Sequence, residues 1–209
     1  MLQSARYKLI ELFIIFFVIP VSFDVNFPAW IKLIIGVLGY FYIIYVLLKV
    51  EKNKFKIAKN FNWKLFFKQT LIKLIGIAIL TSIYVYFTSP SDLFIVLKNK
   101  PLLWVFILFF YSVFSVYPQE LIYRTFYFQR YESLFQNKKR FIFINAIVFS
   151  LAHLLFKNSL VIILTFFCGL LFALTYKKTK STLLVSIEHA IYGCWLFTVG
   201  MGEILGFPS

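Results

Sequence analysis

The sequence predicts an all-α fold: a polytopic membrane helix bundle of about seven transmembrane helices, forming a single integral membrane domain over residues 1–209. Three observations lead to this fold class. The 209 residues are 61% hydrophobic and only 14% charged, and their mean hydropathy is +0.85. A soluble domain is about 45–50% apolar and about 25% charged, so the additional apolar surface must face lipid. The apolar residues also form long runs without the alternation that membrane strands require.

Seven apolar runs, bounded by charged residues or helix breakers, follow one another along the chain. A helix of about 20 residues, rising about 1.5 Å per residue, crosses the hydrocarbon core, and most of the runs have about that length. The fourth run continues past Pro118 and predicts one long, bent element over 101–135, because proline cannot donate a helical hydrogen bond. The predicted helices cover 10–23, 28–50, 69–87, 101–117 with its extension, 141–156, 159–176 and 181–199.

The basic residues predict how the chain is oriented. A cytoplasmic N-terminus and an outside C-terminus place most of the 22 lysines and arginines on the cytoplasmic side of the cell membrane. The formal charge of +14 is then explained by the membrane topology and by attraction to anionic lipid. No nucleic-acid partner is expected. The basic segment Lys49–Lys68 fits a surface helix as well as it fits an ordinary cytoplasmic loop. The basic residues left outside are Lys32, Lys98, Lys100 and Lys157.

Ionisable residues inside the late apolar runs are few. Glu120 and Arg124 end the fourth run in "QELIYR". The chain has two histidines, and both lie in apolar runs: His153 in "FSLAH", and His189, after Glu188, in "EHAIYG". Charged groups are expensive in hydrocarbon, so such residues usually mark a functional site. The pattern predicts a functional cluster, with a purely structural ion pair between Glu120 and Arg124, four residues apart on one helix face, as the alternative.

These three segments resemble, in order and spacing, the motifs of the CPBP family of intramembrane metalloproteases. That family includes the type II CAAX prenyl proteases and the bacteriocin-processing, Abi-like proteins. Its pattern is Glu-Glu-x-x-x-Arg, then Phe-x-x-x-His, then His-x-x-x-Asn or Asp. The resemblance covers about residues 100–200. The matching residues of this chain are Glu120, Arg124, Phe149, His153 and His189.

Two positions depart from the family pattern. Gln119 stands where the pattern has the first of its paired acids, which is the expected base. Gly193 stands where the pattern has Asn or Asp. A glutamine side chain forms hydrogen bonds but cannot take a proton from water. The resemblance therefore leaves two readings open: an active peptidase, or a catalytically impaired relative that acts as a membrane binding, immunity or scaffold protein.

The activity that the resemblance implies is hydrolysis of a peptide bond in a membrane-embedded or membrane-associated peptide by an activated water. Carried over to this chain, Glu120 acts as the base together with His153. Arg124 pairs with Glu120, and His189 stabilises the oxyanion. Glu188 could fix the tautomer of a neighbouring residue or lie on another face of its helix. The predicted supporting residues are Gln119, Phe149, Glu188 and Gly193.

Two further hypotheses concern a metal and transport. Glu120, His153 and His189 form a set of one carboxylate and two imidazoles that could hold zinc and leave one position open for water. These ligands come from three helices and not from a local motif such as His-Glu-x-x-His, so their spacing gives zinc no support. A small transporter would show an inverted repeat or paired broken helices, and the sequence shows neither.

Overall fold

The computed structural model describes residues 2–55 and 61–207, which are mostly helical and contain no strand. This confirms the predicted all-α fold. Short π-helical stretches lie within α1, α2 and α5. Within the described ranges the helices are α1 (5–22), α2 (Ala29–Val50), α3 (Trp63–Thr88), α4 (Ile95–Asn99), α5 (Pro101–Leu134), α6 (Lys138–Leu151), α7 (Ser159–Thr179) and α8 (Thr182–Val199).

Six helical segments of the described residues are long and apolar enough to cross a membrane: α2, α3, α5, α7, α8, and α6 with its extension to Phe156. The first of the seven predicted spans, α1, is not among them, and it carries Arg6, Lys8 and Glu11. Large apolar side chains remain exposed on the spans, as a lipid-facing surface requires; Phe87 is 78% exposed and Leu102 is 86% exposed. The chain is a multi-pass membrane protein.

Pro118 does not interrupt α5. Two π-helical segments, Tyr111–Val116 and Leu121–Phe126, flank the short α-helical stretch Tyr117–Glu120 that contains the proline. A π turn changes the local hydrogen-bonding pattern, which helps a helix to accommodate a residue without an N–H. The prediction of one long element is confirmed, since the helix runs from Pro101 to Leu134.

The basic segment between α2 and α3 is not one helix in the part that the structure describes. The chain has no regular structure over 52–55, and residues 56–60 of the predicted surface helix lie outside the described residues. The next helix begins at Trp63, where the Asn62 side chain accepts a hydrogen bond from the Leu65 N–H at 2.9 Å. The aromatic residues that follow Asn62 therefore belong to the start of a membrane span.

The chain forms two compact units, and each is built from two stretches of sequence. The first unit consists of Met1–Lys56 and Gln119–Thr182, and so contains α1, α2, the second part of α5, α6 and α7. The second unit consists of Ile57–Pro118 and Leu183–Ser209, and contains α3, α4, the first part of α5 and nearly all of α8. The single domain over 1–209 stays a prediction.

In the first unit, α6 and α7 pack at close range because Gly169 has no side chain. A Cβ atom at this position would lie 3.2 Å from the Ala146 Cα and 3.2 Å from Cδ1 of Phe149. Both distances are tighter than ordinary van der Waals contact. The close approach of α7 holds Phe149, a residue of the second motif, in place.

A buried ionic network also belongs to the first unit. Arg130 is fully buried; its Nε lies 2.7 Å from Oε2 of Glu11, and its Nη1 lies 2.8 Å from Oε1 of Glu51. The hydroxyls of Tyr131 and Tyr42 both donate to Glu11. The network joins α1, the end of α2 and the end of α5. Sequence reasoning assigned no role to Glu11, because its partner Arg130 lies far along the chain.

In the second unit, α8 is held by two hydrogen bonds between indoles and threonines. Trp195 Nε1 donates to Oγ1 of Thr81 on α3 at 2.9 Å. Trp104 Nε1, on α5, donates to Oγ1 of Thr198 at 3.0 Å. Interhelical hydrogen bonds of this kind fix how membrane helices pack where lipid provides no hydrophobic driving force.

Candidate active site

Glu120 and Arg124 form a fully buried ion pair on one face of α5. Arg124 Nε lies 3.3 Å from Oε2 of Glu120, the spacing of four residues that the sequence predicted to bring them together. Neither side chain is exposed, so Glu120 faces protein and not lipid. The opposite charges offset part of the large desolvation penalty that each would have alone.

Arg124 is held from several sides by residues of the first unit. Its Nη1 donates to Oδ1 of Asn145 at 2.9 Å and to the Tyr123 carbonyl at 3.2 Å. Asn145 in turn donates to the same carbonyl at 2.7 Å. The guanidinium carbon lies 4.5 Å from the ring centre of Phe149 and 5.8 Å from that of Phe172. Sequence reasoning missed Asn145, whose only signal is an amide within the apolar run "FIFINAIVF".

His153 lies just past the end of α6 and not inside a helix as predicted. α6 ends at Leu151, and a 3-10 turn, Leu154–Phe156, follows the histidine. The His153 ring packs against Phe149 at a centroid distance of 4.9 Å, and its Nδ1 lies 2.8 Å from the Phe149 carbonyl oxygen. A carbonyl oxygen only accepts, so Nδ1 carries a proton. In the neutral ring a proton on Nδ1 makes Nε2 the acceptor nitrogen.

Phe149 is the common neighbour of Arg124 and His153 in the first unit. Contacts therefore run without a gap from Glu120 through Arg124 and Phe149 to His153, and four of the predicted site residues are brought together. Gln119 precedes Glu120 on α5 and is half-buried. The catalytic and supporting roles of these residues stay predictions.

In the second unit, His189 lies on α8 and is only 6% exposed. Its Nε2 lies 3.1 Å from the hydroxyl oxygen of Tyr111, on α5. The two rings meet edge to face, with their centroids 6.0 Å apart. Sequence reasoning did not single out Tyr111, since one tyrosine in an aromatic-rich run carries no signal of its own.

Gly193 lies one turn after His189 on α8, beside the same tyrosine. A Cβ atom built at Gly193 would overlap the hydroxyl and ring of Tyr111. The phenol therefore fills the space that a side chain at position 193 would need. Gly193 departs from the family pattern, and this contact gives a structural reason why no larger residue fits there.

Glu188 points towards α3. Its Oε1 accepts hydrogen bonds from Lys73 Nζ at 2.6 Å and from the Tyr192 hydroxyl at 2.8 Å. The carboxylate is fully buried, whereas the Lys73 side chain is 31% exposed. Of the two possibilities left open for Glu188, this arrangement corresponds to a separate face of the helix, where it pairs with a cation.

The arrangement of the described residues gives no support to a zinc site. Within the described ranges, no three His, Cys, Asp or Glu side chains form a group that could hold a metal ion. Glu120, one of the three predicted ligands, already pairs with Arg124. Zinc bound by Glu120, His153 and His189 stays a prediction.

Residues 101–195 match the family described as type II CAAX prenyl endopeptidase Rce1-like. The matched segment contains α5, α6, α7 and most of α8, and with them all three motifs. No curated protein matches the chain, and no solved structure does. The match agrees with the resemblance drawn from the motifs, in a segment where Glu120, Arg124 and His189 are buried. Over residues 101–195 the chain is thus similar to the Rce1-like family of type II CAAX prenyl endopeptidases, which is consistent with a CPBP-type intramembrane protease.

Proposed function

We propose that this protein is an intramembrane endopeptidase that hydrolyses a peptide bond of a membrane-associated peptide, with Glu120 and His153 activating the attacking water. The observation that carries the proposal is the unbroken set of contacts from Glu120 to His153 in the first unit. Arg124 and Phe149 lie between the two groups and hold both. The match to the Rce1-like family suggests the class of reaction, and this geometry supports the assignment of residues.

In the proposed reaction, the water oxygen attacks the carbonyl carbon of the scissile peptide. The proton that the water loses passes to the Glu120 carboxylate or to the lone pair on Nε2 of His153. When the tetrahedral intermediate collapses, the C–N bond breaks and the same proton goes to the leaving nitrogen. Arg124 has no proton to give in this scheme; it orients the Glu120 carboxylate and neutralises its charge.

Oxyanion stabilisation is proposed for His189, the role that the resemblance gives it. A preorganised N–H donor at a developing oxyanion contributes about 10²–10³-fold to a rate in well-studied hydrolases. His189 belongs to the second unit, and its own environment, with Tyr111 at 3.1 Å, holds the ring in place. The role of His189 is tested by its own substitution, separately from that of Glu120.

The test is cleavage of a fluorogenic peptide by purified protein in liposomes. The family description suggests a prenylated peptide ending in a CAAX sequence as the first probe, with the same peptide without the lipid as its comparison. Glu120→Gln and His153→Gln each remove a proton acceptor and are expected to lower the rate by about 10²–10⁴-fold. Glu132→Gln is the matched control, because Glu132 pairs with Lys138 and Lys180 at the surface.

The second candidate function is binding without catalysis, as an immunity or scaffold protein. One observation favours it: Gln119 stands in place of an acid. Gln119→Glu discriminates between the two. Cleavage by the natural chain supports the peptidase. Cleavage by Gln119→Glu alone, or tight binding of the peptide with no cleavage by either protein, would overturn the peptidase proposal in favour of binding.

A further inference from the structure

In the second unit, the Tyr111 side chain fills the space beside Gly193. The phenol lies where the Cβ of any larger residue at 193 would have to be. In a helix, residue 193 lies one turn from residue 189 and on the same face. A polar side chain at 193 would therefore reach towards His189. Here the hydroxyl of Tyr111 takes that place, 3.1 Å from Nε2.

The Tyr111 ring is fixed by its aromatic neighbours. It meets Phe197 edge to face at a centroid distance of 4.7 Å, and Phe207 at 6.2 Å. It also packs against a core that contains Val96 and Ile107. Because the ring is held in this way, its hydroxyl lies at one position. The Tyr111 side chain therefore loses little conformational freedom when the hydrogen bond to His189 forms.

We propose that Tyr111 is the positioning residue of His189: its hydroxyl, seated in the space that Gly193 leaves open, fixes the orientation and the tautomer of the imidazole. The phenol either donates to a bare Nε2 or accepts from Nε2–H, and in the neutral ring each arrangement corresponds to one tautomer. A fixed tautomer presents one defined N–H or one defined lone pair from Nδ1. The catalytic consequence rests on the proposed peptidase function, but the effect on the ring does not.

The direct test is nitrogen-15 NMR of protein labelled at histidine only, in lipid nanodiscs. The chain has two histidines, so the spectrum contains two imidazoles, and His153→Gln assigns them. In the natural chain, we expect two well-separated ring-nitrogen resonances for His189, the signature of one tautomer. Tyr111→Phe keeps the ring and its packing but removes the hydroxyl, so the two resonances should move towards each other as the tautomers exchange.

The resonances of His153 serve as the internal control, because His153 donates to its own backbone contact at Phe149 and should not respond. Unchanged His189 resonances in Tyr111→Phe would overturn the proposal. In the cleavage assay, the same variant is expected to lower kcat about tenfold with little change in KM, the size of effect that loss of one hydrogen bond gives. A chain that cleaves nothing would end the peptidase proposal and leave the NMR result to decide the role of Tyr111.

A second pair of variants tests whether the Tyr111 ring and a side chain at position 193 compete for the same space. Gly193→Asn alone should lower the melting temperature strongly, because the new side chain overlaps the Tyr111 ring. Tyr111→Ala removes that ring, so the double variant Tyr111→Ala/Gly193→Asn should be more stable than Gly193→Asn and should restore separated His189 resonances. Additive effects of the two substitutions on stability would show that the side chains at 111 and 193 do not compete for the same space.

Discussion

The guanidinium carbon of Arg124 lies 4.5 Å from the ring centre of Phe149, and this contact joins the first motif, on α5, to the second motif, on α6. An arginine has a planar cation that can stack on a ring while its N–H groups reach polar partners in the same plane. Here those partners are Glu120 and Asn145. One side chain thus fixes the carboxylate and, through Phe149, the surroundings of His153.

Arg124→Met should destabilise the protein by about 3–5 kcal/mol, because it leaves the buried Glu120 carboxylate without its counter-charge. The double variant Arg124→Met/Glu120→Gln removes both charges and should regain most of that loss. The measurement is the free energy of unfolding of each variant in mild detergent. A double variant as unstable as Arg124→Met would contradict the pairing as the source of the effect.

Arg130→Gln should also destabilise the protein by about 3–5 kcal/mol, since it leaves Glu11 buried beside two tyrosines without a cation. The control is again Glu132→Gln, whose ion pairs lie at the surface and should contribute only about 0–1 kcal/mol. Thermal unfolding of the two variants side by side measures the difference. Equal melting temperatures would mean that the Glu11 network does not hold α1 to the first unit.

Gly169→Val should cost about 1–3 kcal/mol, because added atoms force α7 away from Ala146 and Phe149. Gly76→Ala is the matched control: a Cβ there meets nothing within 4 Å, so the change should stabilise α3 by up to about 1 kcal/mol. Unfolding transitions of both variants are compared with that of the natural chain. A neutral Gly169→Val would show that α6 and α7 can separate without loss.

Chelation separates the proposed reaction from the zinc hypothesis. The reaction drawn here uses a carboxylate and an imidazole, so cleavage should be unchanged after treatment with a strong chelator and dialysis. Elemental analysis of the purified protein checks that the metal has been removed. Loss of cleavage that zinc restores would instead establish zinc as part of the machinery, and Glu120, His153 and His189 would be the first ligands to test.

The proposed orientation is tested with two cysteines at opposite ends of α6. Lys139→Cys places an exposed thiol in the first turn of α6, and Lys157→Cys places one after its end. With the N-terminus in the cytoplasm, an impermeant maleimide should label residue 157 in intact cells, and residue 139 only after the membrane is opened. The two natural cysteines lie in membrane spans, so the unsubstituted chain serves as the background. The reverse labelling pattern would show that the orientation is opposite to the proposed one.

Much of the fold follows from composition and run length alone. The predicted ends of α2, α7 and α8 lie within three residues of those observed, because lipid demands long apolar helices and charges mark where they stop. The first run was predicted as a span, but Arg6, Lys8 and Glu11 set α1 apart from the six segments that qualify. Local sequence could not show that Glu11 pairs with Arg130.

The part of the site that depends on local spacing was predictable. Glu120 and Arg124 are four residues apart, as are Phe149 and His153, and a helical turn brings such residues together. Asn145 and Tyr111 were missed because their partners lie on other helices, and nothing near them in sequence identifies those partners. Gly193 was noticed as a departure, but its reason became visible only once Tyr111 was seen to fill its space.

The most direct test of the central claim is the ratio of cleavage rates between the natural chain and Glu120→Gln, measured in lipid on the same membrane-associated peptide. Glutamine has nearly the same shape but cannot accept the proton of water. We predict a rate at least about 100-fold lower for the variant, with thermal unfolding showing that it is still folded. A folded Glu120→Gln protein that cleaves as fast as the natural chain would contradict the assignment of Glu120 as the base.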